Sequence, residues 1–257
     1  MIIDKIYSDG LKREVKISIL LPNDYTTKKK YPVLYMHDGQ NLFDSETATH
    51  GETWRVEDAL KYKLPEMIVV GMDSAEWLDR LDEYSPYVNS SLVGEHPSIT
   101  RPVGGKGDKY LEFVVNIVKP MIDKNYSTLP DRDNTAIMGS SLGGLISLYA
   151  AINYNDIFSM YGCLSNAFWF ALDELKNDIE KADLLGARIY MDAGTDEADE
   201  KRLKDAYLFS NNEIFKTLSN SNAEANYAII KDGTHREEEW ALRLPGVIKW
   251  LFGVNYN

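Results

Sequence analysis

Ile137-Met138-Gly139-Ser140-Ser141-Leu142-Gly143-Gly144 sets a G-x-S-x-G core between an apolar run, Asn134 to Met138, and an apolar-periodic segment, Leu142 to Ile152. The run has the length and composition of a buried strand, and the segment has the periodicity of a helix that begins directly after the serine. Strand, tight turn and helix are the frame of a nucleophile elbow. Glycines at both ends of the core let the two elements crowd together, while the middle serine, Ser141, projects its hydroxyl outward. Small residues also line ordinary strand-to-helix turns, and serine often caps helices. The flanking strand and helix are what single Ser141 out as a candidate nucleophile.

Working outward, Val15 to Leu21, Val33 to Met36 and Met67 to Met72 read as strands before the elbow, with helices predicted at Thr53 to Lys61 and Tyr110 to Asp123. After the elbow helix, strands are predicted at Phe158 to Leu164, Ala187 to Met191 and Asn226 to Ile230. Helices follow at Ala171 to Asp183, Glu200 to Ser219 and Trp240 to Phe252. This alternation specifies an α/β fold with a mostly parallel central sheet and helices on both faces. No long Pro/Gly/Ser linker divides the chain, so 1–257 is expected to form a single domain. The weakly patterned stretch from Tyr87 to Lys109 is expected to be a loop over the sheet edge or the active site.

A formal charge of −12 argues against a nucleic-acid partner. The one dense basic run, Lys28-Lys29-Lys30, reads as a solvated loop. Cys163 is the only cysteine, which excludes an intrachain disulfide and a cysteine-based metal cluster; its apolar setting marks an inert core residue. No apolar run approaches the roughly 20 residues of a membrane span, and Met1 to Asp9 lacks an apolar signal core. A cytoplasmic location is the expectation, and no membrane partner.

A serine hydroxyl needs a neighbouring base, and histidine is suited to that near neutral pH. Of four histidines, His235 follows the last predicted strand, in the loop Lys231-Asp232-Gly233-Thr234-His235, where a base can reach back to the elbow. The orienting acid should lie between serine and histidine, and Asp192, Asp196 and Glu197 all occupy the loop after Ala187 to Met191; spacing leaves the choice open. A developing oxyanion needs backbone donors. The Leu142 amide is one by position, and the Gln40 amide, in His37-Asp38-Gly39-Gln40-Asn41, is the candidate for the second. His37 has no H-x-H or H-E-x-x-H partner, so it reads as a residue that shapes this loop or meets substrate, not as a metal ligand. No metal and no cofactor are expected.

Assembled, these segments resemble the esterase family that includes esterase D, feruloyl esterase domains and siderophore trilactone esterases. The resemblance is carried by Leu34 to Asp44 (LYMHDGQNLFD), Trp54-Arg55-Val56, Asp82-Glu83-Tyr84-Ser85-Pro86, Ala136 to Gly144, and Gly233-Thr234-His235. It implies an α/β-hydrolase fold with little or no cap domain, with Ser141 as nucleophile and His235 as base. Family members place the acid third after the glycine of a G-x-x-D/E turn, which implies Glu197 here, with Asp196 the runner-up. The segment Ser165 to Phe170 resembles one whose aromatic residues line the substrate pocket, so Trp169 joins His37 as a substrate-contact candidate. The reaction implied is hydrolysis of small acyl or aryl esters, such as acetylated or feruloylated sugars, through an acyl-enzyme. Siderophore trilactones are the alternative substrate, an acyltransferase the alternative enzyme class, and a non-catalytic binding protein on the same scaffold the remaining rival. Oligomeric state is not legible in the sequence.

Overall fold

The computed structural model describes residues 1–61 and 64–253. Its centre is an eight-stranded sheet in the order β1-β2-β4-β3-β7-β8-β9-β10, formed by Ile2–Ser8, Arg13–Leu20, Ile68–Met72, Val33–Met36, Thr135–Ser140, Met160–Leu164, Arg188–Asp196 and Glu224–Thr234 respectively. β1 and β2 form an antiparallel pair, β2 pairs antiparallel with β4, and every pair from β4 to β10 is parallel. Between the parallel strands run the helices α1 (Val56–Ala59), α2 (Trp77–Glu83), α3 (Gly107–Phe113), α4 (Lys119–Asn125), α5 (Leu142–Asn153), α6 (Leu172–Lys181) and α7 (Lys201–Ser219), and α8 (Glu237–Leu251) follows the last strand.

Strand alternation divides the core. Leu34, Met36, Ala136 and Met138 point to one face, against Trp240, Leu244 and Ile248 of α8 and Val56 of α1. Tyr35, Ile137, Tyr161 and Ile189 point to the other, which α3 to α7 cover with residues such as Leu145, Leu175 and Ile214. β3, β4, β7 and β8 are buried throughout, as strands covered on both faces must be. This is the topology of the α/β-hydrolase fold, with β7 delivering the elbow.

The structure departs from the sequence reading in several places. β1 is an unanticipated edge strand whose residues are nearly all exposed, so it carries no burial pattern. The helix expected at Thr53 to Lys61 is a single turn, Val56–Ala59, entered through Arg55 at φ 48. The helix expected from Tyr110 begins at Gly107 and passes through a π-helical turn, Val114–Val118, before α4. Pro120 explains the turn: it has no N–H for the carbonyl four residues back, and its ring crowds that carbonyl. Within the expected loop from Tyr87 to Lys109, β5 (Val88–Asn89) pairs antiparallel with β6 (Val103–Gly104). Among the described residues, no helix is long and apolar enough to cross a membrane.

Candidate active site

Ser141 sits at φ 59, ψ −123, a backbone conformation that L residues rarely adopt. The turn is held by hydrogen bonds on both sides. The Ser141 N–H donates to Leu164 O at the end of β8 (2.9 Å), and Ser141 O accepts from the amides of Gly144 (3.1 Å) and Ala167 (3.2 Å). Its glycines leave no room for a side chain: a Cβ on Gly139 would stand 2.9 Å from the His37 ring, and one on Gly144 would stand 1.8 Å from Asn166 Oδ1.

β9 and β10 deliver the partners. His235 Nδ1–H donates to Glu197 Oε2 at 2.7 Å, leaving Nε2 free to act as a base. The Glu197 side chain is fully buried, whereas that of His235 is about a quarter exposed. Burial works against charge on Glu197, yet His235, the Gly194 amide and Ser165 together hold its carboxyl below the usual range. Ser165 Oγ also accepts from Trp240 Nε1 (2.8 Å), and the Trp240 ring packs edge-on against His235 at 5.1 Å. Glu197 and His235 are therefore held by one connected group.

The other two candidate carboxylates lie within β9, which runs five residues past the expected strand end at Met191, and face elsewhere. Asp196 is half exposed and pairs with Lys204. Asp192 is buried, accepting from the Ser165 amide (2.8 Å) and Arg243 Nε (2.9 Å); burial pushes its carboxyl up, against the pull of Arg243. That pair anchors α8 beneath the site.

His37 does not meet the cleft, contrary to its reading as a substrate contact. It is 2% exposed, with Nδ1 2.7 Å from the Tyr110 hydroxyl and Nε2 3.1 Å from Ser147 Oγ. Ser147 gives its single proton to Gly143 O (2.7 Å), so it accepts from His37 Nε2–H, and Nδ1 accepts from Tyr110. Burial lowers the His37 pKa to about 3, keeping the ring neutral. It buttresses the elbow from behind. Trp169, the other expected contact, packs edge-on against Tyr207 (5.9 Å) and is absent from the cleft wall.

Beyond His37 the chain turns through Asp38 at φ 53 into the 3-10 turn Gly39–Asn41. Arg80 clamps Asp38 through Nε to Oδ1 (2.7 Å) and Nη2 to Oδ2 (2.8 Å), and the Asp38 amide donates to the Tyr84 hydroxyl (2.9 Å). Gln40 exchanges two side-chain hydrogen bonds with Ser74, at 3.0 and 3.1 Å. The segment carrying the Gln40 amide is thus rigid, as a pre-formed donor site requires.

Ser141, His235, Gln40 and Asp38 share a cleft of about 740 Å³ whose other walls include Arg80, Trp77 and Glu237. Trp77 is 60% exposed, at φ 42, and meets His96 of the 87–109 segment edge-on at 5.7 Å. That segment reaches the cleft through this contact and contributes none of its walls. Arg80, Trp77 and Glu237 went unread in the sequence. Only Asp82 to Pro86, just beyond Arg80 in the resemblance, pointed toward that neighbourhood. Among the described residues, no group of three or more His, Cys, Asp or Glu is arranged to hold a metal ion.

An elbow serine, a carboxylate-bound histidine and a clamped turn at the carboxyl ends of parallel strands define a hydrolase of the α/β-hydrolase class. The chain matches the "Putative esterase" family over residues 8–251; it belongs to that family and is a carboxylic ester hydrolase. It is 25% identical to the protein YbbA of Bacillus subtilis, over 93% of both chains. In fold it is similar to an IroE-like serine hydrolase from Shewanella oneidensis (TM-score 0.80, 20% identity, 99% of this chain and 81% of that one). It is also similar to the siderophore hydrolase EstA of Aspergillus nidulans (TM-score 0.74, 18% identity, 99% and 95%).

Proposed function

We propose that the chain hydrolyses small acyl or aryl esters, such as acetylated or feruloylated sugars, with Ser141, His235 and Glu197 as its catalytic triad. The observation that carries this reading is the 2.7 Å His235–Glu197 hydrogen bond in a cleft that also holds the strained elbow serine. Ser141 Oγ attacks the ester carbonyl carbon while His235 Nε2 takes its proton. The amides of Leu142 and Gln40 receive the oxyanion. His235 then returns the proton to the departing alcohol, and water repeats the sequence to free the acid and Ser141. Glu197 stays ionised and stabilises the imidazolium.

The cleft favours neutral substrates. Its walls carry Asp73, Glu76 and Glu237, while Arg80 is already committed to Asp38. The exposed ring of Trp77 at its wall suits a sugar or aryl ring. A siderophore trilactone is the second reading, supported by the fold shared with a siderophore hydrolase. A panel of acetylated sugars, feruloyl sugars, p-nitrophenyl esters and trilactones decides between them, with kcat/KM highest on the first two classes if this reading holds. Added sugar or alcohol acceptors give free acid as the main product from a hydrolase; acylated acceptor as the main product would identify an acyltransferase.

A further inference from the structure

Six carboxylates are buried among the described residues: Asp38, Asp82, Glu83, Asp192, Glu197 and Glu237. Five of them have a basic side chain 2.6–2.9 Å away, from Arg80, Arg101, Arg13, Arg243 and His235 respectively. A folded chain offsets in this way the cost of taking a charge out of water. Glu237 is the exception. It is 6% exposed, and among the described residues no Lys, Arg or His forms an ion pair with it; its neighbour Arg236 turns to Glu238 instead (3.8 Å).

The position of this carboxylate is fixed. Glu237 opens α8, two residues after His235, and its Oε1 accepts a hydrogen bond from Asn41 Nδ2 at 3.1 Å. Asn41 follows Gln40 and is itself held, its Oδ1 accepting from the Thr49 amide (2.8 Å) and hydroxyl (2.9 Å). Glu237 therefore stands in the wall of the catalytic cleft, tied to the oxyanion turn on one side and joined to the base on the other. Burial pushes its pKa up, while its own amide at the helix N-terminus and the nearby His50 and His235 favour its charge. Arg80 is the one Lys or Arg among the described residues of the cleft wall, and it is bound to Asp38; Glu76 adds a further carboxylate. The wall has no free arginine or lysine to serve as the missing counter-ion, so a substrate that carries a cation is the one that completes it.

Resting on the Ser141–His235 reading above, we propose that Glu237 is a specificity-determining residue that binds a protonated amine on the alcohol part of the ester, which makes acylated amino sugars and amino alcohols the preferred substrates. The alcohol part is the part concerned because its oxygen must reach His235 Nε2 to be protonated, and Glu237 lies on that side of the cleft. A neutral sugar ester leaves the buried carboxylate without a counter-ion. An ammonium N–H donating to it supplies one.

The test compares dimethylaminoethyl acetate, protonated at neutral pH, with its uncharged carbon isostere isopentyl acetate, in the wild type and in Glu237→Gln. The glutamine keeps an acceptor for Asn41 and removes the charge. The ratio of kcat/KM for the ammonium ester to that for the isostere is expected to fall about 10- to 100-fold in the variant, the range of a hydrogen bond between charged groups. Comparing ratios cancels the difference in intrinsic reactivity between the two esters. An unchanged ratio would overturn the proposal, whether both activities fall together or neither falls. A second measurement needs no variant: protonated dimethylaminoethanol should inhibit wild-type hydrolysis of isopentyl acetate at a concentration at least about tenfold below that of isopentanol, and equal inhibition would also overturn it. In either case Ser141 would still label with a fluorophosphonate, leaving the esterase reading in place. A wild type that neither hydrolyses these esters nor labels at Ser141 would remove both readings.

Discussion

At the scale of single residues, the site combines strain with fixed charge. Ser141 at φ 59 holds a conformation that costs on the order of 1–3 kcal/mol, and glycine adopts it without a Cβ penalty. Ser141→Gly and Ser141→Ala both lack the hydroxyl, so their difference isolates that strain: chemical denaturation should find the glycine variant about 1 kcal/mol more stable. The acid is resolved in the same way. Glu197→Gln removes the charge behind His235 and should lower kcat by about 10² to 10⁴-fold. Asp196→Asn only frees Lys204 and should cost less than about threefold; a larger loss from Asp196→Asn would reassign the acid.

His37 supplies a pH test. Its folded pKa lies near 3 and its unfolded value near 6.5, so between these the unfolded chain binds the extra proton. The sign follows: the stability held by neutral His37 is fully present above pH 6.5 and is lost as pH falls toward 3. The loss is at most about 1.4 kcal/mol per pH unit. Denaturant melts of the wild type and His37→Asn across this range should show a shallower pH slope in the variant, and parallel slopes would mean that His37 is not buried neutral.

At the scale of elements, the elbow works because β7, α5 and the end of β8 are packed without clearance. Gly144→Ala would drive a Cβ to 1.8 Å from Asn166 Oδ1, and Asn166 is tied to Cys163 O and Asn211. The expected cost is about 1–3 kcal/mol in thermal or chemical unfolding, with activity falling alongside because Asn166 adjoins Ala167, whose amide holds Ser141 O in the elbow turn. Wild-type stability in this variant would mean that α5 has slack.

The same scale shows what the sequence makes legible. β3, β7 and β8 are buried on both faces, so their apolar runs marked them directly; β1 is exposed along nearly its whole length and offered no such run. Ser141 and His235 sit in short motifs that marked them as candidates, whereas spacing left Asp192, Asp196 and Glu197 open and only the family resemblance favoured Glu197. His37 carried two readings, loop support and substrate contact, because a histidine in such a loop looks the same in sequence whether its ring faces the cleft or the core. Only the packing of Tyr110 and Ser147 around it decides. Trp77 and Arg80 line the cleft from α2, whose sequence carries no catalytic signature, so only tertiary placement reveals them.

For the whole molecule, the net charge of −12 and the acidic walls of the cleft act on encounter. Anionic esters should show lower kcat/KM than neutral esters of the same acyl group. The gap should narrow as salt rises from about 0.01 M, where the screening length is about 30 Å, to about 1 M, where it is about 3 Å. A gap insensitive to salt would place discrimination in direct contacts within the cleft.

The central claim is that Ser141 carries the acyl group, and intact-mass measurement after fluorophosphonate treatment tests it most directly. The wild type should gain one adduct, located at Ser141 on peptide mapping, in step with loss of p-nitrophenyl ester hydrolysis. Ser141→Ala should gain none and retain less than about one-thousandth of the activity. An adduct on another residue, or an alanine variant that still turns over ester at the wild-type rate, would contradict the account.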